Sequence, residues 1–534
     1  MCGIFLKISK YKNNYIPFEL KNRGPDNYIN LKKNYDNNYY NFHFFRLSII
    51  NNLSISNQPI IIDETILLAN AEIFNYKELI NKFDIKSYNT LSDCEIISQL
   101  YLIFKKLNMS TIEIFNNISK ELDGEYSFIL HDSIKKETYC MRDNFGVRPL
   151  YFQILDDDIN ICSELKGFPY NNVNNSIKQL KLSQLLVINN DYSYDILDLY
   201  TKNKYILDSF IDSFIDPDLN IIKNLLYNSV KKRIFGNREI CSLLSGGLDS
   251  SLICGILSKF LGKIKTFSIG LEDSTDLIYA NKVASFINSD HKNIILSEHE
   301  FLQNIKDTIK IVESYDTTTV RASVGNMLIS KYISENSDCK IIFNGDYSDE
   351  VTGGYKYFNK CNDPILFHNE CIRLIDDIIY FDSQRSDRCI SYFGLESRTP
   401  YADKDFVNYY LSIHPKYRMC NDNIEKFLLR EAFKYENIIP EDVLWRKKEA
   451  FSDGVSSVDR SWFTIIHEYI DKNMTDEYFT NNFYKYKHNT PKTKEDLFYR
   501  EVFEELYPNN DNIIPYKWMP KWVEESSNPS ARVI

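Results

Sequence analysis

The sequence predicts an α+β domain followed by an α/β domain with a parallel sheet flanked by helices. Its 534 residues exceed the roughly 250 to 300 at which a single hydrophobic core stops growing. Short strand patterns dominate about the first 165 residues, whereas apolar strands alternate with longer helices further on. A polar, aromatic stretch from about 166 to 215 separates the two patterns. We therefore predict domains over residues 1–204 and 205–534.

The first domain is predicted from brief segments that are rich in β-branched or aromatic residues and bounded by polar turns. These are TILLAN at 65–70, YSFIL at 126–130 and ETYCMR at 137–142. Ser92 and Glu95 have the spacing of a capping box, which predicts the start of a helix. The apolar residues that would share one face of this helix are Ile96, Ile97, Leu100, Tyr101 and Phe104.

The second domain is predicted from apolar strands that alternate with helices. REICSLL at 238–244, KTFSIGL at 265–271 and CKIIFNG at 339–345 are strand candidates, and SLICGILSKFL at 251–261 is a helix. This alternation is typical of a parallel sheet. NIEKFLLREAF at 423–433 predicts a core helix. Its apolar face would contain Ile424, Phe427, Leu428 and Ala432.

Composition excludes several classes of protein. A net charge of -11 argues against broad nucleic-acid binding, which depends on cations that neutralise phosphates. No apolar run reaches the roughly 18 residues of a membrane-spanning helix. The 11 cysteines are scattered and contain no CxxC pair, so neither a disulfide framework nor a zinc site is indicated. We expect a protein of the reducing cytoplasm that binds no nucleic acid and no membrane.

The strongest local signal is SLLSGGLDSSL. An apolar strand ends at Leu244, a tight turn with two glycines follows, and Asp249 and Ser250 lead into a helix. Glycines let the backbone approach a ligand, and the helix start presents free N–H groups to an anion. A strand-to-helix turn with serine caps is the simpler alternative. The lysine of the common GxxxxGK[ST] loop is absent.

The loop resembles the SGGxDS loop of the ATP pyrophosphatases, known as the PP-loop. That resemblance implies that backbone groups and serine hydroxyls hold the β and γ phosphates of ATP. It also implies cleavage between the α and β phosphates, with pyrophosphate leaving and an adenylate forming on the acceptor. Asp249 would help to hold Mg²⁺, a cation that prefers oxygen ligands and is usually shared with phosphates.

A second signal is the N-terminal segment MCGIF. If Met1 is removed, Cys2 carries a thiol and a free α-amine on one residue. Such an amine has a pKa of about 7.7 to 8.0 and can take the thiol proton, so that the thiolate attacks a carbonyl carbon. Cys2 is therefore a candidate nucleophile.

Cys2 and the motifs that follow it resemble the N-terminal-nucleophile (Ntn) glutamine amidotransferases. The resemblance implies a four-layered αββα sandwich that releases ammonia from glutamine. Asn70 and the N–H of Ala71 would form the oxyanion hole, although the family has glycine at the second position. If that glycine needs φ > 0, alanine would weaken the glutaminase. The motifs are RGPD at 23–26, RLSII at 46–50, NAEIFN at 70–75, LDGEYSF at 122–128 and RDNFGVRPLYF at 142–152.

The same resemblance implies a pocket for the glutamine zwitterion. Arg46 would bind its carboxylate, and Glu72 and Asp93 would hold its α-amino group. Taken alone, Asp93 is also explained by the dipole at a helix start, and Arg46 by a surface position. The predicted glutamine-binding residues are Arg46, Leu47, Ser48, Ile49, Ile50, Asn70, Ala71, Glu72 and Asp93.

An ammonia-releasing domain joined to an adenylating domain implies that a carboxylate is converted to an amide. Four segments resemble the glutamine-hydrolysing asparagine synthetases, and the resemblance covers nearly the whole chain. The closing stretches NTPKTKE at 489–495 and MPKWVEESSNPSAR at 519–532 resemble the animal-type form. The resemblance implies that aspartate, ATP and glutamine give asparagine, AMP, pyrophosphate and glutamate through a β-aspartyl-adenylate, with an internal passage for ammonia. The four segments are ESYDTTTVRAS at 313–323, FNGDYSDEVTGGY at 343–355, RSDRCISYFGLESRTPYAD at 385–403 and WRKKEAFSDGV at 445–455.

The resemblance also assigns residues of the synthetase site. Thr318 and Arg321 would lie near aspartate or the reacting phosphate, and Asp349 would be a second Mg²⁺ ligand. Asp346, a candidate catalytic residue, and Tyr347 replace a glutamate and a glycine of the family, which predicts a lower rate. The predicted ATP-binding residues are Leu244, Ser245, Gly246, Gly247, Asp249, Ser250, Ile269, Asn344, Gly345 and Lys448.

Two alternatives remain open from the sequence. One is a related amidotransferase, or a β-lactam-forming synthetase, that acts on another carboxylate. The other is a catalytically impaired homologue that binds a nucleotide or a partner. The oligomeric state is open, with a homodimer as one expectation.

Overall fold

The computed structural model describes residues 1–169, 176–199, 214–447, 449, 451–457 and 459–523. Contacts divide the chain into two compact units. The first contains Met1–Ile206 and Phe235–Arg238, and the second contains Leu207–Ile234 and Glu239–Ile534. In the described residues, all strand pairs of the first unit are antiparallel, and those of the second unit's sheet are parallel.

The described part of the first unit consists mainly of short strands, with three α-helices between the fifth and sixth. Its strands are β1 (Gly3–Ser9), β2 (Asn27–Tyr35), β3 (Asn38–Arg46), β4 (Ile60–Ile62), β5 (Thr65–Ile73), β6 (Gly124–Asp132), β7 (Glu137–Arg142), β8 (Tyr151–Ile154), β9 (Asp158–Cys162), β10 (Ile177–Gln179), β11 (Gln184–Ile188) and β12 (Tyr194–Asp198). Its helices are α1 (Tyr76–Lys82), α2 (Glu95–Lys106) and α3 (Thr111–Glu121).

Two six-stranded sheets pack face to face in this unit. Their strand orders are β10-β8-β9-β1-β3-β2 and β12-β11-β7-β6-β5-β4. Ile4 and Leu6 of the first sheet share a buried cluster with Leu68 and Ile129 of the second. Helices α1 to α3 cover the other face of the second sheet through a separate apolar cluster. On the outer face of the first sheet, the 3-10 helix Phe18–Asn22 packs against β1. These features confirm the predicted α+β fold with two packed antiparallel sheets, and the outer layer on the first sheet is represented among the described residues by this short 3-10 helix.

Most local predictions for this unit are confirmed. The three predicted strands are β5, β6 and β7, and the predicted apolar face of α2 is buried. The capping box is wrong: Cys94 precedes the helix, and the Glu95 carboxylate instead accepts hydrogen bonds from the backbone of Asn89 and Thr90. The stretch from 166 to 215 also contains β10 to β12, which we did not predict. Pairing of β10 with β8, of β11 with β7 and of β12 with β11 stabilises strands whose own sequence patterns are short.

His131 on β6 lies among aromatic rings in the core between the two sheets. Its ring centroid is 4.6 Å from that of Tyr40, and its Nδ1 is 3.0 Å from Thr138 Oγ1. The buried Nε2 has no hydrogen-bond partner among the described residues. Burial lowers the pKa of His131 from 6.5 to about 4, because an imidazolium here would lose its hydration.

We expect the lowered pKa of His131 to make the protein sensitive to acid. A neutral native histidine stabilises the fold fully above pH 6.5, and this contribution is lost as the pH falls towards 4. The free energy of unfolding of the wild type, measured by urea denaturation, should therefore fall by roughly 3 kcal/mol more than that of His131→Gln over this pH range. His299→Gln, which changes an exposed histidine, is the matched control and should follow the wild type. Parallel pH profiles for wild type and His131→Gln would contradict the prediction.

The described part of the second unit surrounds one sheet with helices. Its strands are β13 (Glu239–Leu243), β14 (Lys265–Gly270), β15 (Asp290–Ile295), β16 (Cys339–Phe343) and β17 (Glu396–Arg398). Its helices are α4 (Leu219–Arg233), α5 (Leu248–Leu261), α6 (Thr275–Phe286), α7 (Glu298–Gln303), α8 (Ile305–Val312), α9 (Thr317–Asn336), α10 (Ser348–Thr352), α11 (Pro364–Asp377), α12 (Asp382–Ser391), α13 (Lys404–Ser412), α14 (Pro415–Arg418), α15 (Phe427–Phe433), α16 (Glu441–Leu444), α17 (Phe451–Gly454), α18 (Trp462–Asn473), α19 (Asp476–Asn482) and α20 (Lys494–Leu506).

The parallel sheet has the order β15-β14-β13-β16-β17, which confirms the predicted α/β class. The chain runs outward from β13 in both directions, so the loops after β13 and β16 diverge at a topological switch point, the usual ligand site of such sheets. The predicted strands are β13, β14 and β16, and the predicted helix is α5. The helix predicted at 423–433 begins only at Phe427, because Lys426 is left-handed with φ of 56°. Ile424 therefore lies outside it.

The sequence predicts no membrane-spanning helix. Across the described parts of both units, every helix is too short or too polar to cross a bilayer.

Candidate active site

Cys2 lies immediately before β1 and is half-buried. Its Sγ is 3.8 Å from the carbonyl oxygen of Leu47, and its backbone nitrogen donates to Asn70 Oδ1 at 3.0 Å. The Nδ2 of Asn70 is buried and has no hydrogen-bond partner among the described residues. A buried donor of this kind needs an acceptor. The oxygen of a carbonyl under attack by the thiol would supply one.

Ala71 occupies ordinary strand geometry. It lies within β5, opposite Tyr126 of β6, and is not among the residues with positive φ. Alanine is therefore unstrained at this position, and the expectation of a weaker glutaminase loses its physical basis. Asn70 and Glu72, on either side of Ala71, project to the face of the sheet that Leu68 also occupies.

Buried arginines hold the segments around the thiol. Arg23 donates to the carbonyl oxygen of Cys2 at 3.1 Å and forms a buried ion pair with Glu164. At the end of β3, Arg46 donates to the carbonyl oxygen of Leu53 at 2.8 Å and to Asn57 Oδ1 at 2.7 Å. Burial lowers the pKa of Arg46. Its guanidinium is thus anchored in the loop after β3.

Two predicted carboxylates connect separate motifs. Asp26 of RGPD accepts a hydrogen bond from the backbone nitrogen of Ser48 at 2.7 Å, which fixes the segment Leu47, Ser48, Ile49 and Ile50. Asp93, before α2, accepts one from the backbone nitrogen of Ile73 at 2.7 Å and so ties the helix start to the end of β5.

In the second unit, a cavity of about 200 Å³ opens where β13, β14 and β16 end. Gly246 and Arg321 are not among its lining residues, and Lys448 lies outside the described residues. The predicted site residues that line the cavity are Leu244, Ser245, Gly247, Asp249, Ser250, Ile269, Thr318, Asn344, Gly345, Asp346 and Asp349.

The loop after β13 is held by its own serines. Ser250 Oγ accepts from the backbone nitrogen of Ser245 at 3.2 Å and lies 3.0 Å from Ser245 Oγ. Gly246 has φ of 73°, and a Cβ there would overlap the backbone of Ala280, so both conformation and space require glycine. The loop therefore presents backbone groups and hydroxyls at the start of α5, as an anion site needs.

Gly345 allows the turn after β16 to lie against this loop. A Cβ there would be 2.8 Å from the backbone nitrogen of Ser250 and 2.9 Å from Asp249 Cβ. Thr318, at the start of α9, contributes a buried Oγ1 with no hydrogen-bond partner in the described chain. The cavity thus offers an unsatisfied hydroxyl near two closely packed loops.

Arg321 forms an ion pair rather than lining the cavity. Its Nε donates to Glu495 Oε1 at 2.7 Å, and both side chains are buried. Burial alone would raise the pKa of Glu495, but Arg321 outweighs it and lowers the value to about 2. The described arginines that line the cavity are Arg385, Arg430 and Arg446, and the sequence had given none of them a role.

Arg385 holds the two carboxylates at this end of the cavity. It donates to Asp346 Oδ1 at 2.7 Å and to Asp382 Oδ1 at 3.0 Å.

Tyr347, which follows Asp346 in the chain, is buried and has a left-handed backbone with φ of 74°. This conformation costs a residue other than glycine about 1 to 2 kcal/mol. The Asp346–Tyr347 turn is therefore a strained feature of the cavity wall.

Lys426 is the most informative residue that the sequence did not reveal. Its Nζ is 2.6 and 2.7 Å from the two carboxylate oxygens of Asp249 and 2.6 Å from Asp349 Oδ1. Its side chain is 1% exposed. In the sequence, Lys426 lies inside an apolar helix pattern and gives no signal, because its position depends on its own left-handed backbone just before α15.

Comparison with known proteins gives a family for each half of the chain. A family profile described as asparagine synthase matches residues 222–366 and 364–530, and one described as glutamine amidotransferase domain matches residues 1–204. Proteins named asparagine synthetase [glutamine-hydrolyzing] from Gallus gallus and Homo sapiens are 38% and 39% identical to this chain. Each alignment covers 97% of this chain and 94% of the relative.

Solved structures give weaker similarity. The allosteric regulatory enzyme of purine biosynthesis matches with a TM-score of 0.33 and 14% identity, over 55% of this chain and 80% of that one. The glutamine phosphoribosylpyrophosphate amidotransferase from B. subtilis has a TM-score of 0.30 and 17% identity, over 50% and 65%.

The profile match over residues 1–204 shows a glutamine amidotransferase domain in this part of the chain. The two relatives are 38–39% identical to this chain, and each alignment covers nearly all of both proteins, so the similarity includes the rest of the sequence. The chain belongs to the asparagine synthase family.

Proposed function

We propose that this chain synthesises L-asparagine from L-aspartate with ATP and with ammonia released from L-glutamine. The products are AMP, pyrophosphate, L-glutamate and L-asparagine. Residues 1–204 would form the glutaminase and residues 205–534 the synthetase. The observation that carries the proposal is that one chain combines the Cys2–Asn70 arrangement with a cavity built on the SGGLDS loop.

In the glutaminase, Cys2 would be the nucleophile. After removal of Met1, the α-amine of Cys2 would take the thiol proton, and the sulfur would attack the side-chain amide carbon of glutamine. Asn70 Nδ2 and the N–H of Ala71 would donate to the developing oxyanion. Collapse of the intermediate would expel ammonia, with the amine returning its proton, and water would then hydrolyse the thioester to glutamate.

The glutamine zwitterion would be bound by charge at both ends. Arg46 would hold the carboxylate, while Glu72 and Asp93 would hold the α-amino group. Burial of all three side chains supports this assignment, because charge pairs strengthen where water is excluded.

In the synthetase, the β-carboxylate of aspartate would attack the α-phosphorus of ATP, and pyrophosphate would leave. Ser245, Gly247 and Ser250 would bind the phosphates, and Leu244 and Ile269 would contact the adenosine. Ammonia would then attack the acyl carbon of the β-aspartyl-adenylate, and AMP would leave. Asp346, oriented by Arg385, would be the carboxylate nearest to this step. An internal passage for ammonia stays a prediction.

The residues of the cavity fit Mg²⁺. Asp249 and Asp349 supply carboxylate oxygens, and Mg²⁺ typically combines one or two carboxylates with substrate phosphates. No group of three acidic, histidine or cysteine side chains suited to a metal occurs in the described residues, so phosphate oxygens would complete the coordination. When bound, Mg²⁺ would neutralise phosphate charge and favour departure of pyrophosphate.

The test is formation of asparagine and pyrophosphate from aspartate and ATP with either glutamine or ammonia. We expect both products from both nitrogen sources. Pyrophosphate only with a different carboxylic acid would support a related amidotransferase. No product from either source would support a homologue that only binds a nucleotide or a partner. A cytoplasmic location and a homodimer stay predictions.

A further inference from the structure

Lys426 places an ammonium group between the two carboxylates proposed to hold Mg²⁺. It contacts both oxygens of Asp249 and one of Asp349, and it donates to Ser348 Oγ at 3.2 Å. Ser348 in turn donates to Asp249 Oδ1 at 2.8 Å. One cation and one hydroxyl therefore link the loop after β13 to the start of α10.

The fold makes specific room for this lysine. A Cβ at Gly354 would overlap both Lys426 Cε and Asp349 Oδ1. Lys426 itself is held in a left-handed conformation, uncommon for a residue with a long side chain. Gly354 and the left-handed Lys426 thus both determine the geometry of the ion pair between Lys426 and Asp349.

Electrostatics gives the arrangement a consequence for metal binding. Without a shared cation, two carboxylates in a buried site carry a large desolvation cost. A divalent ion bound to the same oxygen atoms would repel the ammonium of Lys426. The lysine and the metal therefore compete for the same oxygen atoms. Nucleotide phosphates change the balance, because they add ligands for the metal and acceptors for the ammonium.

We propose that Lys426 is an internal counter-cation that keeps Asp249 and Asp349 together when no nucleotide is bound, and so makes divalent-cation binding depend on nucleotide. The inference rests on the Mg²⁺ site of the proposed function. Lys426 acts here as a positioning residue for that site. Its effect is on metal affinity in the absence of nucleotide, a property that the assay of product formation does not measure.

The test is titration of the full-length protein with Mn²⁺, followed by the electron paramagnetic resonance signal of the free ion. Without nucleotide, Lys426→Met should bind Mn²⁺ about tenfold or more tightly than the wild type, since the competing charge is gone. Lys426→Arg should resemble the wild type. Lys282→Met removes a lysine from an exposed pair with Asp442, and as the matched control it should also resemble the wild type. Equal Mn²⁺ affinity of wild type and Lys426→Met would overturn the inference.

A second arm separates this inference from the metal site itself. In the presence of α,β-methylene-ATP, the wild type should bind Mn²⁺ more tightly than Asp249→Asn. The Mn²⁺ affinity of Asp249→Asn measures the ion held by the nucleotide alone. No difference would show that the metal site is misplaced, whatever Lys426 does. If Lys426→Met unfolds at a lower temperature, Mg²⁺ should raise its Tm more than that of the wild type. Failure of Mg²⁺ to do so would also overturn the inference.

Discussion

Replacing Cys2 by alanine should abolish asparagine formation from glutamine and leave formation from ammonia within about twofold of wild type. The thiol is the only group proposed to attack the glutamine amide, and loss of a catalytic nucleophile typically costs 10⁴-fold or more, on the order of 10⁶ in some enzymes. Free ammonia bypasses this step. Asparagine and glutamate formation, measured with each nitrogen source, would check both parts.

The control for this variant is Cys420→Ala, which changes a half-buried thiol of the second unit. It should retain both activities. Equal loss of both activities in Cys2→Ala would show that the division of labour between the domains is wrong. Intact-mass measurement adds an independent check, since retention of Met1 in an active enzyme would exclude the α-amine of Cys2 as the base.

The candidate glutaminase site could be proposed from the sequence because its residues lie in short motifs with distinctive chemistry. Cys2 and Asn70 are 68 positions apart and yet hydrogen-bonded, and no spacing rule predicts such a contact. The resemblance to a family supplied it. The condition for a weaker glutaminase, a positive φ at Ala71, is not met, and the sequence does not reveal that this position has strand geometry in β5.

The synthetase site shows where sequence reasoning stops. The loop after β13 was predictable, since an apolar strand, two glycines and a helix start are consecutive in the chain. Lys426 and Arg385 were not, because Lys426 contacts Asp249 and Arg385 contacts Asp346. These partners are more than 30 residues away and meet them only when β13, β16 and the helices after them pack together. Buried charges whose partners are distant in sequence look like ordinary surface charges.

Replacing Asn70 by alanine should lower kcat for glutamine hydrolysis by about 10² to 10³, the usual effect of removing one oxyanion-hole donor. KM for glutamine should change little, since the donor acts on charge that develops only in the transition state. Synthesis from ammonia should be unaffected. Steady-state glutaminase kinetics without aspartate or ATP would measure this. Asn75→Ala is the matched control: Asn75 is an amide whose Nδ2 donates to the carbonyl oxygen of Glu121 at 2.9 Å, and it should retain kcat.

A second variant separates the two hydrogen-bonding atoms of Asn70. Its Oδ1 accepts from the backbone nitrogen of Cys2, whereas its Nδ2 is the donor without a partner in the described residues. Asn70→Asp keeps the acceptor and removes the donor, so it should lose kcat as Asn70→Ala does if the donor stabilises the oxyanion. A variant that kept wild-type kcat would instead assign Asn70 to the orientation of Cys2 and leave the oxyanion to backbone donors such as the N–H of Ala71.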